Sequence, residues 1–386
     1  MFTEPSLILQ EFVEKELNIL PAFHLTERTK SFFKRIFDIA KEAPPPNYKI
    51  IAKKLSLPNT PFPKGRLFDE FEIDTIKQHI INLNKKITEV QLIVGIRTYH
   101  LHFVLPHRSS LNIVGFVAKI NMWLHVATQF SEATCSRTVH VYLYLTDLKK
   151  TLPTLYNQPI CQEHVNTAFT TGCNESTEII IFRREEWFKV FIHESFHNLG
   201  LDFNFSSNNQ QLLKSIFPLQ NSNCLLAETY CELMAEVFNI LLSKDGMSFI
   251  ERHLQIERKF SLFQTAKILD YFDLNYIELF EKTAQASQLR QNNYKETTEV
   301  FCYFILKSLL LYNCNEFFEW LDTNCNGGIK FNQQYVEKFI RELIIPTHNH
   351  PKYIKVVDKV QSIFDKPVKN IFLKNTLRMT AIEMKL

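Results

Sequence analysis

Glycine is scarce in this chain, with 8 in 386 residues. Few positions are free to adopt conformations closed to other residues, so long regular helices are expected. No two of the eight cysteines are spaced C-x-x-C. Cys231 and Cys302 fall in apolar helical text, where a reduced, buried thiol is the ordinary expectation. No apolar run reaches about 18 residues, the length a membrane helix needs. The best stretches are broken by Lys119 and Lys307. An excess of either charge is also missing: 44 Lys+Arg stand against 41 Asp+Glu, a net +3. That balance gives no case for a nucleic-acid partner or an acidic surface. The start, Met1-Phe2-Thr3-Glu4-Pro5, has no basic segment followed by an apolar one, so no signal peptide is expected. A cytoplasmic location and no membrane partner follow as expectations.

What is abundant is apolar text, at 45 %, including 34 Phe. Residues 6–42 carry Leu7, Leu9, Phe12 and Leu17, then Phe32, Phe33, Ile36 and Phe37, near a helical period. Pro44-Pro45-Pro46 ends that block. A short segment from Tyr48 to Leu57 precedes a loop rich in Pro and Asn at 58–64, and Asp69 to Asn84 reads as a further helix. Thr88 to Leu105 reads as β-structure, with Tyr99-His100-Leu101-His102-Phe103 alternating. His100 and His102 share one strand face there. Such a pair serves as polar cover on a half-exposed strand or meets on a metal ion. Ser109-Ser110 can cap a helix running to Gln129. Strands are expected at Val139–Thr146 and Thr177–Phe182, with Glu185 and Glu186 opening the next helix at its positive end. Gly200 suits the end of that helix. Beyond it, Leu225–Leu242, Phe249–Asp270, Thr297–Leu311, Phe331–Ile344, Tyr353–Phe364 and Phe372–Met384 all read as helices.

The most specific signal is His193-Glu194-Ser195-Phe196-His197, a His-Glu-x-x-His motif. Residues four apart share a helix face, so both histidines can bind one ion. Catalytic Zn2+ takes three protein ligands and leaves one position open. His193 and His197 supply two ligands, and Glu194 is placed to act as general base toward water. Its neighbours Trp187, Phe188, Phe191, Ile192, Phe196 and Leu199 are apolar enough to bury the helix. Downstream, Glu228, Glu232 and Glu236 stack at i, i+4 and i+8 on an otherwise apolar helix. Three like charges in a row repel unless cations face them. Such a stripe is either a solvated face or the complement of a metal–histidine centre.

The motif, followed by a helix carrying Glu-x-x-x-Glu, resembles the gluzincin branch of the zincin peptidases over residues 88–244. The resemblance implies an α+β, zincin-like fold: a small mixed sheet packed on an active-site helix, with a large, mainly helical C-terminal lobe. With the helical text on either side, three regions are expected: a helical N-terminal stretch 1–85, a zincin-like catalytic domain 86–244 and a helical lobe 245–386. The resemblance further implies that Glu228 binds zinc and that Glu232 braces His193. A register one turn later, with Glu232 as ligand and Glu236 as brace, stays open, since the family more often carries Asp at the bracing position. Substrate would be a peptide or protein, bound as an added strand on Thr177–Phe182 or on Asn166–Gly172. Tyr294, Tyr303, His253 and Arg258 are candidates for stabilising an oxyanion. The run from Asn166-Thr167-Ala168-Phe169-Thr170 to His193-Glu194 is similar to uncharacterised metallopeptidases encoded by large DNA viruses. That similarity implies a viral protein of the host cytoplasm or the virion.

Three rival readings exist. The metzincin pattern needs a third histidine at 203, where Phe203 stands, while Asp202 is one residue out of register. A cysteine peptidase would rest on Thr171-Gly172-Cys173. A catalytically silent zincin-fold protein, structural or partner-binding, would have no need of Glu194.

Overall fold

The computed structural model describes residues 2–385 apart from 18, 19, 71, 72, 156, 244 and 245. The expected boundary between 244 and 245 therefore lies outside the described residues.

In chain order, helices α1 (Glu4–Glu16) and α2 (Glu27–Lys41) lead into strand β1 (Asn47–Ser56). Two short helices follow, α3 (Arg66–Glu70) and α4 (Asp74–Asn82). The single helix expected over 69–84 is thus divided, and its residues 71 and 72 lie outside the described set. Strands β2 (Lys85–Val94) and β3 (Arg97–Pro106) form a hairpin. Gly95, at φ +58°, makes the two-residue turn that the β-reading of 88–105 did not mark. Helix α5 (Ile113–Phe130) crosses to β4 (Thr138–Thr146). Its N-cap is Asn112, whose side chain accepts from the Gly115 N–H, rather than Ser109 or Ser110. Helix α6 (Gln162–Val165), β5 (Ala168–Thr170), β6 (Ser176–Arg183) and helix α7 (Trp187–Asn198) complete this part. Then come α8 (Ser207–Ile216), α9 (Leu226–Leu241) and α10 (Gly246–Tyr271).

The six strands form one open mixed sheet in the order β1-β2-β3-β4-β6-β5. β3, β4 and β6 are parallel; β1, β2 and β5 run antiparallel to their neighbours. Tyr99, Leu101 and Phe103 of β3, with Val139, Val141 and Leu143 of β4, join a core shared with α5 and α7. The other face carries Val104, Tyr142, Ile180 and Phe182, covered by α3 and α4. The period of two that marked these strands is therefore a division between two cores.

Two sequence expectations fail. The stretch 1–85, expected to be helical, contributes β1 to the sheet. Its residues are mostly exposed, so Lys49, Lys53 and Lys54 break the apolar alternation that announces a strand. At the other end, the helix expected over Phe372–Met384 is limited to Ile371–Asn375. From Thr376 the chain runs irregularly through the interior, because buried carboxylates capture its amides. Glu257 accepts from the Ala381 and Ile382 N–H groups (both 2.8 Å), and Glu186 from those of Met379 (2.8 Å) and Thr380 (2.6 Å). An amide satisfied this way gains nothing from a helix. Among the described residues, no helix is long and apolar enough to cross a membrane.

Candidate metal centre and cleft

Helix α7 is buried at every position except His197. Its apolar residues pack into the core, and Asn198 ties its end to the sheet edge, donating to Thr170 Oγ1 (3.1 Å) and the Thr171 carbonyl (3.2 Å). Gly200, at φ +62°, closes the helix, with the Leu201 N–H donating to the Phe196 carbonyl (2.8 Å). The acids expected to cap the start do something else. Glu186 adopts φ +60°, makes no cap bond, and pairs with the buried Lys150. Glu185 accepts from the Lys150 N–H.

Helix α9 packs against α7 and is buried everywhere but at Glu228. Its acidic stripe is therefore no solvated face, and each carboxylate has its own partner. Glu236 meets Lys307 Nζ (2.6 Å). Glu232 bridges Lys189 Nζ (2.6 Å) and His193 Nδ1 (3.0 Å). Glu228 faces both motif histidines, with Oε2 3.1 Å from His193 Nε2 and Oε1 3.4 Å from His197 Nε2. The two Nε2 atoms are 3.3 Å apart. Ligands about 2.0–2.1 Å from a tetrahedral ion stand about 3.3–3.4 Å from one another. The donor set His193, His197 and Glu228 thus fits a tetrahedral ion by identity and by spacing. Glu232 stands on the far side of His193, and Glu236 is a turn further from the cluster.

Asp202 was missed as a partner of His197. Its Oδ2 lies 2.8 Å from His197 Nδ1. Both imidazoles thus offer Nε2 to the cluster while Nδ1 meets a carboxylate, the outer arrangement typical of metal-bound histidine. Cys231 Sγ lies 3.9 Å from the same Nδ1. The signal in the sequence is the acid itself, four residues past the end of α7 and one residue out of register as a ligand. Phe203 packs on Phe331, ring centroids 4.2 Å apart, so the metzincin position is core.

Electrostatics fit a cation here. Burial works against the His193 charge, but hydrogen bonds with Glu228 and Glu232 outweigh it and raise the imidazole to about 9. Burial likewise opposes the charge on His197, and Cys231, Glu228 and Asp202 overcome it. Burial would raise Glu228, yet His197 and His193 hold it well below the usual carboxylate range. The site therefore favours positive charge between two imidazoles and a carboxylate. Burial raises the Glu194 carboxyl above its usual range, as suits a group that must accept a proton near neutrality.

These groups line one cleft of about 1110 Å³, together with Ala168 to Thr170 of β5 and the segment 325–333. Of the two segments expected to take a peptide, the one containing β5 lies at the edge of the sheet, whereas β6 is flanked by strands on both sides. Of the oxyanion candidates, Tyr303 alone reaches the cleft. It sits on the π-helical turn Phe301–Leu306, and its hydroxyl donates to Glu228 Oε2 (3.0 Å). Tyr294 is tied to Glu296, His253 packs against Phe2, and Arg258 donates to the Tyr312 carbonyl. Cys173 also lines the cleft but is joined to Cys135 in a disulfide, so its thiol is not available to a cysteine peptidase, while Cys231 and Cys302 are free and buried as expected.

The chain is similar to "Uncharacterized protein R210" of Acanthamoeba polyphaga mimivirus, 26% identical over 174 residues, or 43% of each chain. It thus spans less than half the length of that relative. No family model matches it. No solved structure matches it.

Proposed function

We propose that this protein is a zinc-dependent metallopeptidase of zincin-like fold, encoded by a large DNA virus. The observation that carries the reading is the triad of His193 Nε2, His197 Nε2 and Glu228, at the edge lengths of a tetrahedral site, with Glu232 and Asp202 behind the imidazoles. His193, His197 and Glu228 would hold the ion. When bound, zinc would polarise the peptide carbonyl and ease deprotonation of a water.

The remaining work falls to the chain. A substrate strand lies in the cleft alongside β5, the edge strand of the sheet. Glu194 takes the proton of the attacking water on its carboxylate and returns it to the departing amine. The Tyr303 hydroxyl is placed to donate to the oxyanion as it forms. Glu232 and Asp202 hold the imidazoles in the tautomer that leaves Nε2 free. The edge strand, the motif helix and the glutamate-bearing helix in this order support the zincin-like assignment.

Cleavage of unfolded protein or a mixed peptide library tests the reading. The wild type should cut, lose activity to a zinc chelator and regain it with zinc. Glu194→Gln should retain zinc and cut about 100-fold or more slowly. Unchanged cleavage by Glu194→Gln would refute the mechanism. Bound zinc with no cleavage of any peptide would make the protein a silent zinc-binding component.

A further inference from the structure

β1 lies at the opposite edge of the sheet from β5. It pairs with β2 along its length, from Asn47 opposite Ile93 to Ser56 opposite Lys85, with a bulge at Ile51. Among the described residues, no strand pairs with its outer side, and no loop amide or carbonyl bonds to its backbone there. Such an edge presents a row of amide and carbonyl groups to which another strand can add. Edges are ordinarily guarded, and the lysines and the bulge of β1 are guards of that kind. They do not account for its apolar side chains. Ile50, Ile51, Leu55 and, just past the strand, Leu57 are between 46 % and 67 % exposed. Apolar residues exposed singly need no explanation, but a cluster along one edge marks an interaction surface.

We propose that β1 is a docking edge for an extended, acidic segment of another protein, which adds to the sheet as a seventh strand. Charge selects this partner. The near-balance of charge over the whole chain does not hold here: the run 47–57 carries Lys49, Lys53 and Lys54 and no acid. Glu89 of β2 is taken up by Lys54 Nζ (3.2 Å), which leaves Lys49 and Lys53 facing solvent. A second copy of the chain would set two lysine-bearing strands side by side, where like charges repel. Register selects the pattern of the partner. Lys49 and Lys54 stand opposite Gln91 and Ile87 on one face, while Ile50 and Leu55 stand opposite Val90 and Lys86 on the other. A strand that alternates acidic and apolar residues matches both faces, with its acids toward the lysines and its apolar side chains beside Ile50 and Leu55. The edge shares no residue with the cleft, so the inference stands whether or not the protein is a peptidase.

Fluorescence anisotropy on the full chain tests it with two labelled short peptides, one alternating Val and Glu and one alternating Val and Lys. A zinc chelator is present, so that neither peptide is consumed in the cleft. The Glu peptide should bind roughly tenfold or more tightly than the Lys peptide. The double variant Lys49→Glu, Lys53→Glu should reverse that order, with circular dichroism confirming its fold. Hydrogen exchange read by mass spectrometry locates the contact. The Glu peptide should slow exchange across 47–56, because outward amides gain partners. No binding, equal binding of the two peptides, an order unchanged in the double variant, or protection confined to other segments overturns the proposal. So does protection of 47–56 that rises with protein concentration without peptide, which would make the edge a contact between copies of the chain.

Discussion

Asp202 accepts from His197 Nδ1 at 2.8 Å. If it fixes that imidazole, Asp202→Asn should lower zinc affinity about 10–100-fold with the fold intact, as competition with a chromogenic chelator would read. Equal affinity in the variant would reduce Asp202 to a surface acid. A second residue sets a pH dependence. Burial pushes the Glu296 carboxyl up to about 8, against an ordinary value near 4.5, despite hydrogen bonds from the Tyr294 hydroxyl and the Phe301 N–H. Between those values the folded chain holds a proton that the unfolded chain has released. Stability must then fall as pH rises from about 4.5 to about 8 and level off above. Glu296→Gln should flatten this slope, as denaturant midpoints across that range would reveal. An unchanged slope would exclude Glu296 as its source.

At the scale of elements, α9 is the least ordinary piece: a buried helix with three acids on one line. It is tolerated because α7 and the segment around Lys307 bring a cation to each level. Lys189→Met would leave Glu232 with His193 alone. Breaking such a buried pair should cost about 3–5 kcal/mol of unfolding free energy in the metal-free protein. A change near zero would mean that Glu232 is satisfied by His193 alone. The end of α7 is equally specific. Gly200→Ala, at φ +62°, should destabilise by about 1–2 kcal/mol, measured by thermal or urea unfolding. No change would mean that the helix end relaxes freely.

These elements also show what was legible beforehand. The strands at 138–146 and 176–183, the motif helix and the glutamate helix announced themselves through period and punctuation. Glu228 and Glu232 were named, but only α9 lying against α7 separates the face of Glu228 from the flank held by Glu232. β1 was hidden because an edge strand exposed on both sides needs no alternation. The run 376–384 has helical text but is irregular, because Glu186 and Glu257, far away in sequence, take its amides. Tyr303 stands among four candidates and Asp202 beside the motif, but what brings them to the centre is a π-turn and a loop, which residue types alone do not announce.

On the scale of the whole molecule, one buried cluster runs from Leu9 to Ile382. The cleft forms where the β5 edge of the sheet meets the helices that follow α7. The arrangement holds the reacting groups on two rigid, mutually packed helices and leaves the substrate side open. Such a frame holds a donor triad at fixed spacing.

Zinc content after gel filtration, compared among wild type, Glu228→Ala and Glu232→Ala, tests the central claim most directly. The account predicts about one tightly held zinc in the wild type. It predicts loss in Glu228→Ala and weakened retention in Glu232→Ala. Full retention in Glu228→Ala, with loss in Glu232→Ala, would contradict the assigned ligands, and no zinc in any of them would contradict the centre itself.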